Sequence, residues 1–138
     1  MSFNASSKLA AYQMVATHGG VAAADPHRLI LMLMDGALSR FAQARGCMER
    51  GEKAEKCQHL QRALAIVGEL RASLDLGSGG ALAVNLDRLY DYLSRQLLRA
   101  HASEDTDLLD HCSALMQEIR SAWIAIPAGA RNARQAAG

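Results

Sequence analysis

The fold is decided by residues 25–41, which read DPHRLILMLMDGALSRF. Asp25 can accept hydrogen bonds from the first-turn amides of a helix, and Pro26 suits the first helical position because no amide donor is lost there. Apolar side chains then recur with the spacing of one helical face, at Ile30, Leu33, Met34, Ala37, Phe41, Ala44 and Met48. This pattern predicts a long amphipathic helix that begins at Pro26 and ends near Gly51.

Three further stretches have the same periodicity, at 53–75, 81–102 and 107–126. The glycines of 76–80, the polar turn 103–106 and Pro127 separate and end them. The predicted inner rows are Leu60, Ala63, Leu64, Val67, Leu70 and Leu74, then Leu82, Leu86, Leu89, Leu93, Leu97 and Ala100, and finally Leu108, Cys112, Leu115, Met116, Ile119 and Trp123. Because the connections are short, successive helices must run antiparallel. The sequence predicts an all-α protein, an antiparallel up-down four-helix bundle.

Two end segments do not join this bundle by pattern. Residues 1–20 are predicted to be an N-terminal cap, with a short amphipathic helix at 5–17 that is too short to be stable alone in water. The bundle domain is predicted at 21–127. Residues 128–138 contain no large apolar side chain, and we expect them to be a disordered, flexible tail.

Composition excludes several classes of function. Fifteen basic and fourteen acidic residues leave a net charge of +1, which argues against a dedicated nucleic-acid binder. No apolar run reaches the roughly 18 residues of a membrane span, and no signal peptide precedes the helices. We therefore expect a cytoplasmic protein without membrane insertion. Cys47, Cys57 and Cys112 form no metal or redox motif, so we interpret them as packing or surface thiols.

No known catalytic or cofactor motif is present in the sequence. A di-iron bundle needs Glu-x-x-His pairs, and a phosphate loop needs a lysine after its glycines, and both patterns are missing. We therefore predict no enzyme activity, no metal site and no cofactor. One rival interpretation is a histidine phosphotransfer domain that uses His59. The other histidines, His18, His27, His101 and His111, are interpreted as solvated.

The first helix carries more apolar residues than a bundle core requires. At about 100° per residue, Leu31 and Leu38 fall on one flank of the core row, Leu29 falls on the other, and Met32 lies roughly opposite. Apolar surface of this kind is usually covered. We expect this apolar surface to be covered by the N-terminal segment, by a second copy in a homodimer, or by an amphipathic partner helix that binds in a groove.

The order of several short motifs resembles the flagellar secretion chaperone family, FliS. The motifs are Ala11-Tyr12-Gln13, Asp25-Pro26-His27-Arg28-Leu29-Ile30, Leu33-Met34-Asp35-Gly36-Ala37, Ala63 with 66–75, the Gly-Gly linker, Asn85-Leu86, Leu89-Tyr90-Asp91-Tyr92 and Trp123. The resemblance implies a non-enzymatic cytoplasmic chaperone that binds the disordered C-terminal segment of flagellin. It also implies that the chaperone prevents premature polymerisation and delivers flagellin to an export gate component of the flagellar type III apparatus.

The resemblance also indicates which residues contact flagellin. Tyr12 matches the family's N-terminal tyrosine and Asn85 matches a polar residue of its third helix, whereas Met34 stands where the family usually has tyrosine. We expect one wall of the groove to consist of Leu29, Leu31, Met32, Met34 and Leu38, and another of Asn85, Leu89 and Tyr92. The alternatives to this function are a helical interaction or dimerisation module of another kind and, last, the phosphotransfer domain.

Overall fold

A computed structural model describes residues 25–126, which form four helices joined by short connections. The helices are α1 (Pro26–Arg50), α2 (Lys53–Ala72), α3 (Gly80–Ser103) and α4 (Thr106–Ala125). None of them is long and apolar enough to cross a membrane. The predicted cap at 1–20, which includes Tyr12, and the predicted tail at 128–138 lie outside the described residues.

The predicted ends of α1 are confirmed, and their caps explain them. The Asp25 carboxylate accepts hydrogen bonds from the amides of His27, at 3.1 Å, and Arg28, at 3.4 Å. At the other end, Gly51 adopts a left-handed conformation with φ 72°, which glycine tolerates without a steric penalty. The local sequence therefore determines both ends of the helix.

Helix α2 ends three residues before the predicted end at 75 because polar side chains replace its last helical bonds. The Ser73 hydroxyl donates to the Leu70 carbonyl at 2.6 Å. The Asp75 carboxylate accepts from the amides of Gly77 and Ser78, both at 3.1 Å, and these bonds fold the chain into a turn. The hydrogen bonds to Ser78 and Gly77 lower the pKa of Asp75 below its ordinary value.

The predicted antiparallel arrangement is confirmed. Helices α1 and α3 each pack against both α2 and α4, so α1 and α3 lie diagonally across the bundle. Arg45 pairs with Asp110, and Asp35 pairs with Arg120, so residue numbers rise along α1 as they fall along α4. Each helix therefore faces two neighbours, and the four contacts form a closed ring.

The core is aliphatic with a few large rings, and most of the predicted rows are buried. The largest fully buried side chains are Tyr90, Phe41, Leu33, Met34, Leu60, Leu70, Leu93, Leu97, Leu109 and Met116. The prediction for α3 was wrong at Leu82, which is 36% exposed while its neighbour Ala83 is buried, and Leu89 of the predicted inner row is only half-buried. In α4, Leu109 is buried while Leu108 and Leu115 are half-buried. Periodicity does not distinguish a leucine on the flank of a helix from a leucine in the core, because both lie near the apolar face.

A buried lysine joins α2 to the end of α3. The side chain of Lys56 is only 4% exposed, and its Nζ donates to the His101 carbonyl at 3.2 Å and to the Glu104 carboxylate. Burial lowers the pKa of Lys56. Glu104 has a left-handed φ of 52° at the end of α3, so the lysine holds the residue that ends this helix. Sequence periodicity gave no sign of this contact.

His27 is buried, so the prediction of a solvated histidine was wrong. Its ring stacks on the Trp123 indole with a centroid distance of 4.8 Å and an interplanar angle of 8°. His27 Nε2 donates to the Trp123 carbonyl at 2.8 Å, and Trp123 Nε1 donates to the His27 carbonyl at 3.0 Å. This reciprocal pair joins the first turn of α1 to the last turn of α4.

We expect Leu33→Ala to lower the free energy of unfolding by about 2–5 kcal/mol, because it leaves a cavity beside a fully packed core. Leu33 is 1% exposed. The matched control is Leu98→Ala, since Leu98 is 53% exposed and its loss should change stability by no more than about 0.5 kcal/mol. Urea denaturation followed by circular dichroism measures both. Equal losses for the two variants would contradict the assigned core.

We expect Cys57 to be the only one of the three thiols that reacts rapidly with Ellman's reagent in the native protein. Cys47 and Cys112 are buried, whereas Cys57 is half-buried. Burial raises the pKa of Cys112 to about 11 and also raises that of Cys47, so both stay protonated near neutral pH. The Cys57→Ser variant should be almost inert until guanidinium exposes the other two thiols. Rapid native labelling of that variant would show that the core opens readily.

Candidate functional site

Two of the four contacts between helices are closed at the surface by ion pairs. Between α1 and α4, Arg120 Nε donates to Asp35 and Arg45 Nε donates to Asp110, each at 2.6 Å. These bonds span the surface beside the apolar side chains of the two helices. A ligand that entered between α1 and α4 would first have to break them.

The contact between α2 and α3 is closed in the same way by Arg71. Its Nε donates to Asp87 at 2.6 Å and its Nη1 donates to Asp91 at 3.1 Å. The Arg71 guanidinium holds the pKa of Asp87 below its ordinary value, and the hydrogen bonds to these carboxylates raise the pKa of Arg71. Each of these pairs is exposed and adds little stability, but together they cover the apolar surface beneath them.

The contact between α3 and α4 is different, and we call it the α3/α4 seam. Within residues 25–126, no ion pair joins these two helices. One hydrogen bond of 2.9 Å joins the Tyr92 hydroxyl to His111 Nε2, and the two rings meet edge-on with centroids 5.9 Å apart. In the described part of the chain, the surface of this seam therefore has one polar contact across it, between two exposed side chains.

The walls of the α3/α4 seam are largely apolar. On α3, the row that contains Tyr92 has residues spaced three and four apart, which places them on one flank. That row is Leu82, Asn85, Leu89 and Tyr92, and the facing row on α4 is Leu108, His111 and Leu115. The leucines of both walls are partly exposed, and Leu89, Leu108 and Leu115 pack against the core beneath. The seam is thus a shallow apolar groove with a few polar groups at its edge.

Three of the predicted contact residues lie along this seam. Asn85 is exposed, Leu89 is half-buried, and Tyr92 is 37% exposed. Sequence reasoning had assigned Leu82, Leu108 and Leu115 to the core, and it had left His111 in solvent. These residues share a helical register with Tyr92 or with His111. That register could have identified them, but only if α3 and α4 were already known to be neighbours.

The predicted residues of α1 are divided among three environments. Leu29 and Met34 are buried, at 4% and 0% exposure, so neither side chain is open to a ligand in this structure. Leu31 and Leu38 are half-buried and pack against the core. Met32 is 42% exposed. The cause is the helical turn of about 100° per residue, which scatters adjacent side chains over the whole circumference.

Leu31 and Leu38 lie on the flank of α1 that faces α4. Leu31, Leu38 and Arg45 follow one another at intervals of seven residues, so the three side chains form one row, and Arg45 reaches Asp110 on α4. Helix α4 therefore stands between this row and the row of Tyr92 on α3. The single groove with walls from α1 and α3 is not formed, and the two predicted walls lie on either side of α4.

The histidine proposed for phosphotransfer has another partner. Arg40 Nη1 donates to His59 Nδ1 at 3.0 Å. Because arginine can only donate, Nδ1 must be unprotonated and the ring proton must be on Nε2. In this arrangement His59 is held by a structural partner. This bond joins α1 to α2 and accounts for the half-buried position of His59.

The described residues offer no arrangement for metal chemistry. No group of three or more histidine, cysteine, aspartate or glutamate side chains between 25 and 126 could hold a metal ion. What the described surface does offer is an apolar groove with hydrogen-bonding groups along one edge. Such a surface binds by burial and shape.

Comparison with known proteins identifies the family and relatives of this chain. The sequence profile of the family described as flagellar protein FliS matches residues 8–130. The chain is 51% identical over 112 residues to the flagellar secretion chaperone FliSB of Pseudomonas aeruginosa, which covers 81% of this chain and 89% of that protein. It is 39% identical over 119 residues to the flagellar secretion chaperone FliS of Vibrio cholerae, covering 86% and 88%. Its identity to the FliS of Salmonella typhimurium is also 39%, over 118 residues, covering 85% and 87%.

We expect Tyr92→Phe to change the free energy of unfolding by no more than about 0.5–1 kcal/mol, because the lost hydrogen bond is exposed to water. The matched comparison is Trp123→Phe, which removes the buried donor to the His27 carbonyl and part of the ring that stacks on His27, with an expected loss of about 1–3 kcal/mol. Chemical denaturation measures both variants. A larger loss for Tyr92→Phe would mean that the α3/α4 seam is structural.

Proposed function

This chain belongs to the FliS family of flagellar proteins, and from that premise we propose that it binds the C-terminal segment of flagellin in the cytoplasm. Its relatives are named flagellar secretion chaperones, and an export chaperone is its role as well. In the proposed function, the bound segment is kept from polymerising until the chaperone passes flagellin to the export apparatus. The family is named for a chaperone and not for an enzyme, and the proposed role needs no catalysis.

The observation that carries the proposal is the apolar α3/α4 seam. A disordered segment that folds on binding gains most from a groove that accepts the apolar face of an amphipathic helix. Leu82, Leu89 and Tyr92 follow one another along such a groove at helical spacing. Among residues 25–126, no ion pair has to be broken to reach them, whereas entry between α1 and α4 would break two.

The polar groups at the edge of the seam suit the recognition of a helix. The side chain of Asn85 is exposed and can both donate and accept hydrogen bonds. Tyr92 and His111 already bond to each other across the seam, and a ligand can cover this bond or replace it. These groups would fix the register of the ligand, while the leucines would supply the burial.

A second contact, at Leu31 and Leu38, is proposed on the other side of α4. These side chains are half-buried beside the ion pairs Asp35–Arg120 and Arg45–Asp110. A long flagellin segment could reach both places by passing over α4, whereas a single short helix could not. We propose that Met32, which is exposed, belongs to the contact surface of α1, together with Tyr12 from the N-terminal segment.

The expected free energies of binding indicate that each contact between flagellin and the chaperone has a moderate affinity. Burial of about 1,000 Å² of apolar surface gives on the order of 25 kcal/mol before costs. Loss of translational freedom, ordering of the segment and desolvation of polar groups offset most of it. Several moderate contacts on one chain suit a chaperone, since the cargo must be held firmly and later released.

We expect titration calorimetry with a peptide of the host flagellin's C-terminal segment to give one-to-one binding with a negative heat-capacity change. Leu82→Asp and Tyr92→Ala should each weaken binding about tenfold or more, because they remove apolar contacts from the seam. Leu98→Asp is the matched control, since Leu98 is exposed on the same helix in a different register. Its affinity should stay within about twofold of the wild type.

The titration should be repeated with a chain that lacks residues 1–20, so that a covered seam is not mistaken for a missing site. If neither form binds the peptide at tens of micromolar, the chain serves another ligand, and a different kind of helical interaction module becomes the better interpretation. If binding is tight but all three variants behave alike, the cargo binds elsewhere on the bundle.

A further inference from the structure

The α3 edge of the seam is basic. Arg88, Arg95 and Arg99 lie four residues before, three after and seven after Tyr92, which places them on the same outer face of the helix. All three are exposed. Arg95 also pairs with Asp91 at 2.9 Å, and Arg99 Nη1 donates to the Gln96 amide oxygen at 3.1 Å.

The acidic residues of α3 lie on the opposite flank. Asp87 and Asp91 face α2, where both accept from Arg71. Arg95 pairs with Asp91 and so belongs to this flank, whereas Arg88 and Arg99 lie toward the seam. Within residues 25–126, Arg88 forms no ion pair, so its charge is available to a ligand.

The α4 edge of the seam is acidic. Asp107 and Glu118 lie four residues before and seven after His111, the residue that meets Tyr92. Both are exposed, and neither forms an ion pair with a described residue. Arg88 and Arg99 have the same spacing about Tyr92, but the two helices run antiparallel. Asp107 therefore lies toward the same end as Arg99, and Glu118 toward the same end as Arg88.

The two charged edges run side by side over a useful length. From Arg88 to Arg99 the axis of α3 advances about 16 Å, and the same length separates Asp107 from Glu118 on α4. This distance is about three turns of a helix. Because Arg88 and Asp107 each lie four residues from the level of the Tyr92–His111 contact, the two edges overlap for about 12 Å, and a helix lying in the seam would have both edges beside it over that length.

On the basis of the proposed function, we propose that these two edges set the direction in which a helical ligand lies in the α3/α4 seam. The ligand is an amphipathic helix with an acidic edge that meets α3 and a basic edge that meets α4. Reversing the helix end to end while its apolar face stays in the seam exchanges its two edges. In one direction every pair of edges attracts, and in the other every pair repels.

Two synthetic peptides of about 18 residues test the proposal. Both have leucines along one face, glutamates along one edge and lysines along the other, and in the second peptide the two edges are exchanged. Each peptide has a nitroxide spin label at its N-terminus. Amide signals near Leu82 and Ala122 report one end of the seam, and those near Arg99 and Asp107 report the other. We expect the two peptides to broaden opposite ends.

A variant of the protein with reversed charges at both edges provides a second test. Arg88→Glu, Arg99→Glu, Asp107→Lys and Glu118→Lys together should exchange the ends that the two peptides broaden. All four residues are exposed, so the variant should keep the circular dichroism and melting behaviour of the wild type. The control is Arg62→Glu on the exposed surface of α2, which should leave both directions unchanged. A peptide with glutamates on both edges should bind the wild type about tenfold more weakly.

The outcomes separate this inference from the proposed function. If the flagellin peptide binds but both synthetic peptides lie in the same direction, or if neither synthetic peptide binds, the edges do not set direction and only this inference is overturned. If the flagellin peptide also fails to bind, the proposed function fails. If the peptides bind only to a chain that lacks residues 1–20, the seam is the binding site of the protein's own N-terminal segment. If the protein is dimeric and the peptides dissociate it, the seam is the interface with a second copy. Either result overturns the inference.

Discussion

The bundle depends on the contact between its first and last helices, which no short connection enforces. The other three neighbouring pairs are joined by turns that bring them together in any case. Helices α1 and α4 meet through the stacked and doubly hydrogen-bonded pair His27–Trp123 at one end, with the ion pairs of Asp35 and Arg45 along their length. This contact closes the ring around the core and fixes α3 diagonally opposite α1.

Closure of that ring leaves the surfaces of the contacts between helices unequal. Charged side chains bridge α1 to α4 and α2 to α3, whereas α3 and α4 meet at the surface through Tyr92 and His111. The difference follows from the sequence of α3, which places Asp87 and Asp91 on its α2 side and leucines on its α4 side. The same helix therefore contributes stability on one flank and a binding surface on the other.

Much of the fold was predictable from the sequence, because caps and periodicity are local properties. Asp25, Gly51 and Asp105 determine helix ends through bonds to near neighbours in the chain. The sequence does not show which helix packs against each flank of a given helix. Leu82 looked like a core residue, and Leu29 looked open to a ligand, because periodicity locates the centre of an apolar face more accurately than its borders. The burial of His27 was also not predicted, because its partner Trp123 is 96 residues away in the sequence.

The candidate contact residues illustrate this limit most clearly. The family resemblance selected two rows of side chains, one on α1 and one on α3, and it gave no distance between them. In the folded chain, α4 stands between the rows, and its outer surface carries the exposed short side chains Ala114, Ser121 and Ala122. A ligand that touches both rows has to cross this surface, where short side chains let its backbone come close to α4. A long flexible segment can follow that path, whereas a rigid globular partner would reach one row at most.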